Sequence, residues 1–146
     1  MTITFIGHGS ISITPDIKSR LYTEIENLIH SNENIIFFCG GYGDFDNLCA
    51  KICSQLKTKH KNIEIVFVSP YLNFTKTAVV QSYYDTTVYP PIENTPLKFA
   101  ISKRNEWMIE NSDLIISYVT RSYGGAYNSL QFAKKRKKSI IDIANP

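Results

Sequence analysis

The chemistry legible in this chain lies in glycine turns and one arginine. Ser122-Tyr123-Gly124-Gly125-Ala126 follows the short apolar run Leu114 to Val119 and leads into helical composition from Ala126 to Lys135. A strand that ends in glycines and turns into a helix leaves backbone N–H groups unpaired at the helix start, where the helix dipole is positive. That suits an anion such as a phosphate. Arg104, on the preceding helical segment, offers a planar fork of donors with the same preference.

A second turn, Gly40-Gly41-Tyr42-Gly43-Asp44-Phe45-Asp46, stands in the same setting. Its spacing is not GxGxxG, so it carries no dinucleotide fingerprint. Asp44 either caps the helix it opens or meets a ribose hydroxyl. Two further loops follow strand-like runs: Gly7-His8-Gly9-Ser10, whose histidine is a ligand contact or a structural residue, and Ser69-Pro70-Tyr71. Tyr71, Tyr89, Tyr123 and Tyr127 fall in loops or at helix starts and are candidate stacking surfaces for a base. Trp107, the single tryptophan, is assigned to the core or a dimer interface.

The elements that must position these groups follow from periodicity. Thr2 to Ile6, Ile35 to Cys39, Ile63 to Val68, Thr86 to Tyr89, Leu114 to Val119 and Ser139 to Ile143 read as strands. Thr14 caps a helix begun by Pro15, with its apolar stripe at Ile17, Leu21, Ile25, Leu28 and Ile29. Phe45, Leu48, Cys49, Ile52 and Leu56 mark a second helix. Thr75 to Tyr84 reads as a third, and Leu97 to Asn111 as a fourth with Leu97, Ile101 and Met108 on one face. Ala126 to Lys135 is the last. Strands alternating with helices imply a parallel sheet covered on both sides, an α/β, Rossmann-like, doubly wound single domain over residues 1–146. In such sheets ligands bind beyond the carboxyl ends of the strands, where all four loops fall.

Composition narrows the classes. At 146 residues with 43% hydrophobic and 20% charged residues, the chain is long enough to bury a core without disulfides or metals. The apolar runs are too short for a membrane helix, and no basic leader precedes the first strand, so the expectation is a cytoplasmic protein. Cys39, Cys49 and Cys53 read as buried free thiols, and the histidines show no ligand spacing relative to them. No metal ion and no cofactor is expected. The net charge of +3 is mild. Lys134-Lys135-Arg136-Lys137-Lys138 complements the negative end of the last helix or forms a nucleic-acid patch.

These pieces, in this order, resemble the SLOG superfamily and within it the YpsA-like bacterial proteins. The residues that carry the likeness are Phe5-Ile6-Gly7-His8, the turn from Gly40 to Asp46, Tyr89-Pro90, and Arg104-Asn105-Glu106-Trp107-Met108. Asn111-Ser112-Asp113 and Gly124-Gly125-Ala126-Tyr127 complete it, so that it spans nearly the whole chain. The resemblance implies a cleft for nucleotides and nucleotide-derived ligands, with Asn105 and Tyr127 beside Arg104 and the glycines, and a homodimer. Relatives include phosphoribohydrolases, DNA-processing proteins and sensor domains of antiphage systems. The lonely-guy hydrolases carry an arginine followed by PGGxGTxxE. Arg104 looks like that arginine and Gly124-Gly125 like the glycine pair, while Tyr123 replaces the proline. Tyr127 stands at the third glycine, Asn128 at the threonine and Gln131 at the glutamate. A glutamine cannot carry the charge that stabilises a cationic sugar, nor act as a base.

The reading is therefore a nucleotide-derived small molecule bound without turnover, in a domain of the kind that senses or sequesters a signal. An N-glycosidase taking its carboxylate from Asp44, Asp46 or Glu106 is the enzymatic alternative. A nucleic-acid module using the basic run is the third.

Overall fold

The alternation of β-rich runs and amphipathic stripes becomes six strands and four helices in the computed structural model, which describes residues 1–72 and 81–145. In chain order they are β1 (Thr2–Gly7), α1 (Pro15–Ser31), β2 (Ile35–Cys39), α2 (Asp44–Lys57), β3 (Ile63–Val68), β4 (Thr86–Val88), α3 (Ala100–Glu110), β5 (Leu114–Tyr118), α4 (Gly125–Lys135) and β6 (Ser139–Asp142). All six strands are parallel, in the order β4-β3-β2-β1-β5-β6. Connections from β1 run one way across the sheet as far as β4, and the chain then returns to the other side of β1 for β5 and β6. The α/β doubly wound reading holds.

Side-chain alternation along the central strands divides the interior in two. Ile3 and Phe5 of β1, Leu114 and Ile116 of β5, and the inner residues of β2 pack with the α1 stripe and with Phe45, Leu48, Ile52 and Leu56 of α2. Ile6 and Ile115, of opposite parity, pack with Ile109 of α3 and Ala133 of α4. Each large aliphatic or aromatic side chain fully buried in these layers contributes about 1.5–3 kcal/mol. Thr14 caps α1 as its sequence position requires, its Oγ1 accepting from the Ile17 N–H at 3.2 Å. Cys39, Cys49 and Cys53 are buried free thiols, and burial pushes all three upward in pKa. Among the described residues no helix is long and apolar enough to cross a membrane.

Four local features differ from the sequence reading. Leu97–Phe99 is a short 3-10 turn rather than the first turn of α3, and Leu97 is 78% exposed. The inward face of α3 is Ala100, Arg104 and Met108, with Ile109 beside them; the four-residue spacing is that of a helical stripe, but a buried arginine interrupts its apolar pattern. Asp44 is not the cap of α2, because Gly43 occupies that position and makes no side-chain cap bond. Of the helix expected from Thr75 to Tyr84, positions 75–80 lie outside the described residues, and Gln81–Tyr83 forms a 3-10 turn.

Candidate functional site

β1 and β5 lie side by side while their outgoing connections diverge, so a crevice opens beyond their carboxyl ends. A cleft of about 370 Å³ occupies it, within the range that holds a small-molecule ligand. Gly7, His8 and Gly9 form one wall, Tyr42 and Asp46 a second, and Arg104, Asn105 and Met108 of α3 a third. The fourth is the β5–α4 turn, with Arg121, Tyr123, Gly124, Gly125, Ala126 and then Ser129.

The glycine turn into α4 presents bare backbone. Gly124 has φ +92°, and a Cβ built at Gly124 or Gly125 would meet no atom within 4 Å. No side chain caps α4, so its first-turn N–H groups are left for solvent or a ligand. Arg121 adds a cation to the same wall. This end of the cleft suits an anion.

The opposite wall is held by a buried arginine. Arg104 is 2% exposed. Its Nη1 donates to the Gly40 and Val68 carbonyls at 2.8 and 2.7 Å, and its Nε donates to Asn105 Oδ1 at 2.8 Å. One guanidinium thus ties α3 to the carboxyl ends of β2 and β3, and its ring-facing side lies 5.6 Å from the centroid of Tyr42. Burial works against its charge, whereas the neighbouring Asp46 supports it. Asp46 is pushed up to about 6 by burial, with Arg104 and the Tyr42 backbone N–H pulling the other way. Gly40 permits this arrangement, since a Cβ there would lie 2.8 Å from Asp46 Oδ2 and 3.2 Å from Arg104 Nη2. His8 is buried, and its Nε2 accepts from the Thr120 N–H at 2.9 Å. That bond places the proton of the neutral ring on Nδ1, and burial, then Arg121, lowers its pKa.

Of the ligand candidates read from sequence, Gly7, His8, Arg104, Asn105, Gly124, Gly125 and Ala126 line the cleft, as does the carboxylate candidate Asp46. Gly40 stands one layer behind, through its bond to Arg104. The others serve the frame around it. Gly41 packs on Phe67 and Gly43 on Gly9. The Asp44 carboxylate accepts from the Ile11 N–H at 3.0 Å, which staples the β1–α1 loop to the start of α2. Ser69 Oγ donates to the Tyr71 carbonyl at 2.7 Å and accepts from its N–H, closing the Ser69-Pro70-Tyr71 turn on itself. Ser122 and Tyr127 lie off the cleft wall, and Glu106 pairs with Lys103 at 3.4 Å. Gln131 is exposed and off the wall too; after Gly125 and Ala126, the α4 residue that meets the cleft is Ser129, one helical turn beyond Gly125. Asp46 is the one carboxylate among the described lining residues.

Tyr42, Arg121 and Ser129 were not singled out in sequence as ligand contacts. Each had a signal: Tyr42 sits between glycines of a marked turn, Arg121 immediately precedes Ser122, and Ser129 follows Gly125 at helical spacing. The basic run lies elsewhere. Arg136 pairs with Glu110 at 3.3 Å, and Lys138 Nζ donates to the Glu110 and Ser112 carbonyls, so part of the run joins the ends of α3 and α4 away from the cleft.

Comparison with known proteins places the fold. No protein-family model matches the chain. It is 28% identical over 140 residues to the uncharacterized SPbeta prophage-derived protein YoqJ of Bacillus subtilis strain 168, across 82% of this chain and 81% of that one. Among solved structures, DNA processing protein A from Helicobacter pylori, described for its single-stranded DNA binding mode, superposes with a TM-score of 0.66 at 18% identity. That match takes in 97% of this chain but 64% of the other, so the chain spans less than two thirds of that relative. The molybdenum cofactor binding protein of Rippkaea orientalis gives 0.64 at 17% identity, over 97% and 74% of the two chains. The fold is theirs. At such identities the likeness extends to architecture and no further.

Proposed function

We propose that the cleft binds a nucleotide or nucleotide-derived small molecule and holds it without turnover. The observation that carries this is the anion end: bare backbone at Gly124-Gly125, an uncapped helix start and Arg121 converge on one wall. The rings of Tyr42 and Tyr123 border the same space and supply stacking surfaces for a base. Asn105 and His8 offer polar contacts between. The resemblance to the YpsA-like group of the SLOG superfamily supports the reading, with residues 1–146 as one such domain, in the cytoplasm and as a homodimer. Likeness to a prophage-derived protein supports a place in the exchange between phage and host, where the protein sequesters a nucleotide signal.

Asp46 favours a second reading. A carboxyl group at about 6 inside the cleft is poised to donate or accept a proton near neutrality, as an N-glycosidase needs. A nucleic-acid role is weaker, because the basic run faces away from the cleft. Native mass spectrometry of the purified protein with a panel of nucleotides and cyclic dinucleotides separates the first two. The binding reading expects a mononucleotide-sized ligand recovered intact and lost in Arg121→Ala. Free base plus sugar phosphate, abolished by Asp46→Asn, would establish hydrolysis instead.

A further inference from the structure

Where α1 and α2 end, near the amino-terminal ends of β2 and β3, a cluster outside all of this chemistry brings together two of the three histidines. Glu26 and His30 lie four residues apart on α1, so they share a helix face. His60 comes from the turn after α2. The His30 and His60 rings stand perpendicular with centroids 5.0 Å apart. One carboxylate oxygen of Glu26 and one ring nitrogen of each histidine all lie within 4.8 Å of one another. We infer that Glu26, His30 and His60 form a binding site for a divalent transition-metal ion of the Zn²⁺ class.

Three arguments support this. First, the donor set is two imidazoles and a carboxylate, the chemistry that takes Zn²⁺, Ni²⁺ or Cu²⁺, whereas Ca²⁺ and Mg²⁺ require oxygen ligands. A tetrahedral Zn²⁺ with donors at about 2.0–2.1 Å holds them roughly 3.4 Å apart. Closing from the observed spacing is a matter of side-chain rotation, and His30 is exposed and able to turn. Second, the turn that carries His60 is fixed in place. Its N–H donates to the Leu56 carbonyl at 3.1 Å, and Asn62 Nδ2 donates to the Ile29 and Asn32 carbonyls at 3.3 and 3.0 Å, tying the turn to the end of α1. Metal binding therefore orders side chains, not backbone. Third, α1 ends at Ser31, next to His30, and α2 at Lys57, three residues before His60, so the histidines lie close in the chain to the negative ends of two helix dipoles. Lys59 and Lys61 flank His60 in sequence, so affinity must come from the donor atoms rather than from a general negative field. Three protein ligands leave coordination positions for water. The site is remote from the cleft, and a metal there would staple α1 to the α2–β3 turn.

The test is calorimetric titration of the chelator-treated full chain with Zn²⁺, with Mg²⁺ and Ca²⁺ as comparison ions, and histidine ring NMR alongside. One Zn²⁺ per chain is expected at micromolar affinity or tighter, with no heat from the alkaline-earth ions. The His30 and His60 ring signals should shift and those of His8 stay in place. His30→Ala and His60→Ala should each weaken binding by more than about tenfold, the loss that removing even an outer-shell partner can bring. Both positions have solvent-accessible side chains, so circular dichroism should show the variants folded. Glu26→Gln should weaken binding and leave Ni²⁺ and Zn²⁺ both measurable. Absence of stoichiometric Zn²⁺ binding, or binding undiminished when both histidines are replaced, would overturn the assignment.

Discussion

At the scale of single residues, Asp46 is the group whose environment is most at odds with its chemistry. A carboxyl that titrates at 3.8 in water is pushed up to about 6 here, by burial that outweighs its attraction to Arg104. Folding therefore favours the protonated form. The stabilisation from protonation is complete below the ordinary value and is lost as pH rises through about 6. At pH 8 the folded protein carries a charge that burial disfavours and Arg104 partly offsets. Asp46→Asn, which leaves Arg104 without its anion at every pH, should therefore gain on the wild type by about 1–3 kcal/mol between pH 4.5 and pH 8. Urea unfolding at pH 4.5, 6 and 8 measures the gap, and a gap that ignores pH would remove Asp46 as its source. Sequence marked Asp46 and Arg104 but could not rank them. The carbonyls that hold Arg104 lie 64 and 36 positions away in the chain, and no local pattern reports contacts at that range.

At the scale of elements, the strands and amphipathic helices were legible because each buries a periodic apolar face, and periodicity is a local property of sequence. The exception was α3. Ile101 is exposed, as is Leu97 in the turn before the helix, while Arg104 lies inside beside Met108, so of the expected apolar face only Met108 points inward. The glycine turns were legible as turns, yet they do different work, which substitution should expose. Gly43 and Gly124 share nearly the same backbone, with φ of +91° and +92°, a region that costs a side chain about 1–3 kcal/mol. A Cβ at Gly43 would also lie 2.6 Å from the Gly9 Cα, whereas one at Gly124 would meet nothing within 4 Å. Gly43→Ala should accordingly lose the strain energy and more, because backbone must shift where the β1–α1 and β2–α2 loops touch. Gly124→Ala should lose only the strain, yet weaken anion binding by crowding the bare backbone. Thermal unfolding with and without ligand reads both effects. Equal destabilisation by the two substitutions would mean that the Gly9 contact is unimportant.

At the scale of the whole molecule, strand order creates the cleft. The sequence implied a doubly wound sheet, but which strands adjoin is a long-range fact, and only the order β4-β3-β2-β1-β5-β6 puts the Gly7 and Gly124 loops on facing walls. The same arrangement leaves an apolar rim. Leu97 is 78% and Phe99 49% exposed just before α3, and Ile101, also exposed, belongs to the cleft wall itself. Trp107 of the same helix is spoken for, stacked on Phe38 at 5.5 Å, so the solvent-facing apolar surface of this region is at its amino-terminal end. A homodimer that pairs through this end would cover that surface and extend the cleft wall. Light scattering should then give twice the chain mass of 16.6 kDa. Leu97→Asp and Phe99→Asp, which leave every lining residue in place, should each shift the protein toward monomer and reduce ligand affinity by loosening Ile101. A wild-type monomer at tens of micromolar would exclude the pairing. A dimer indifferent to both substitutions would move the interface to another face and separate assembly from binding.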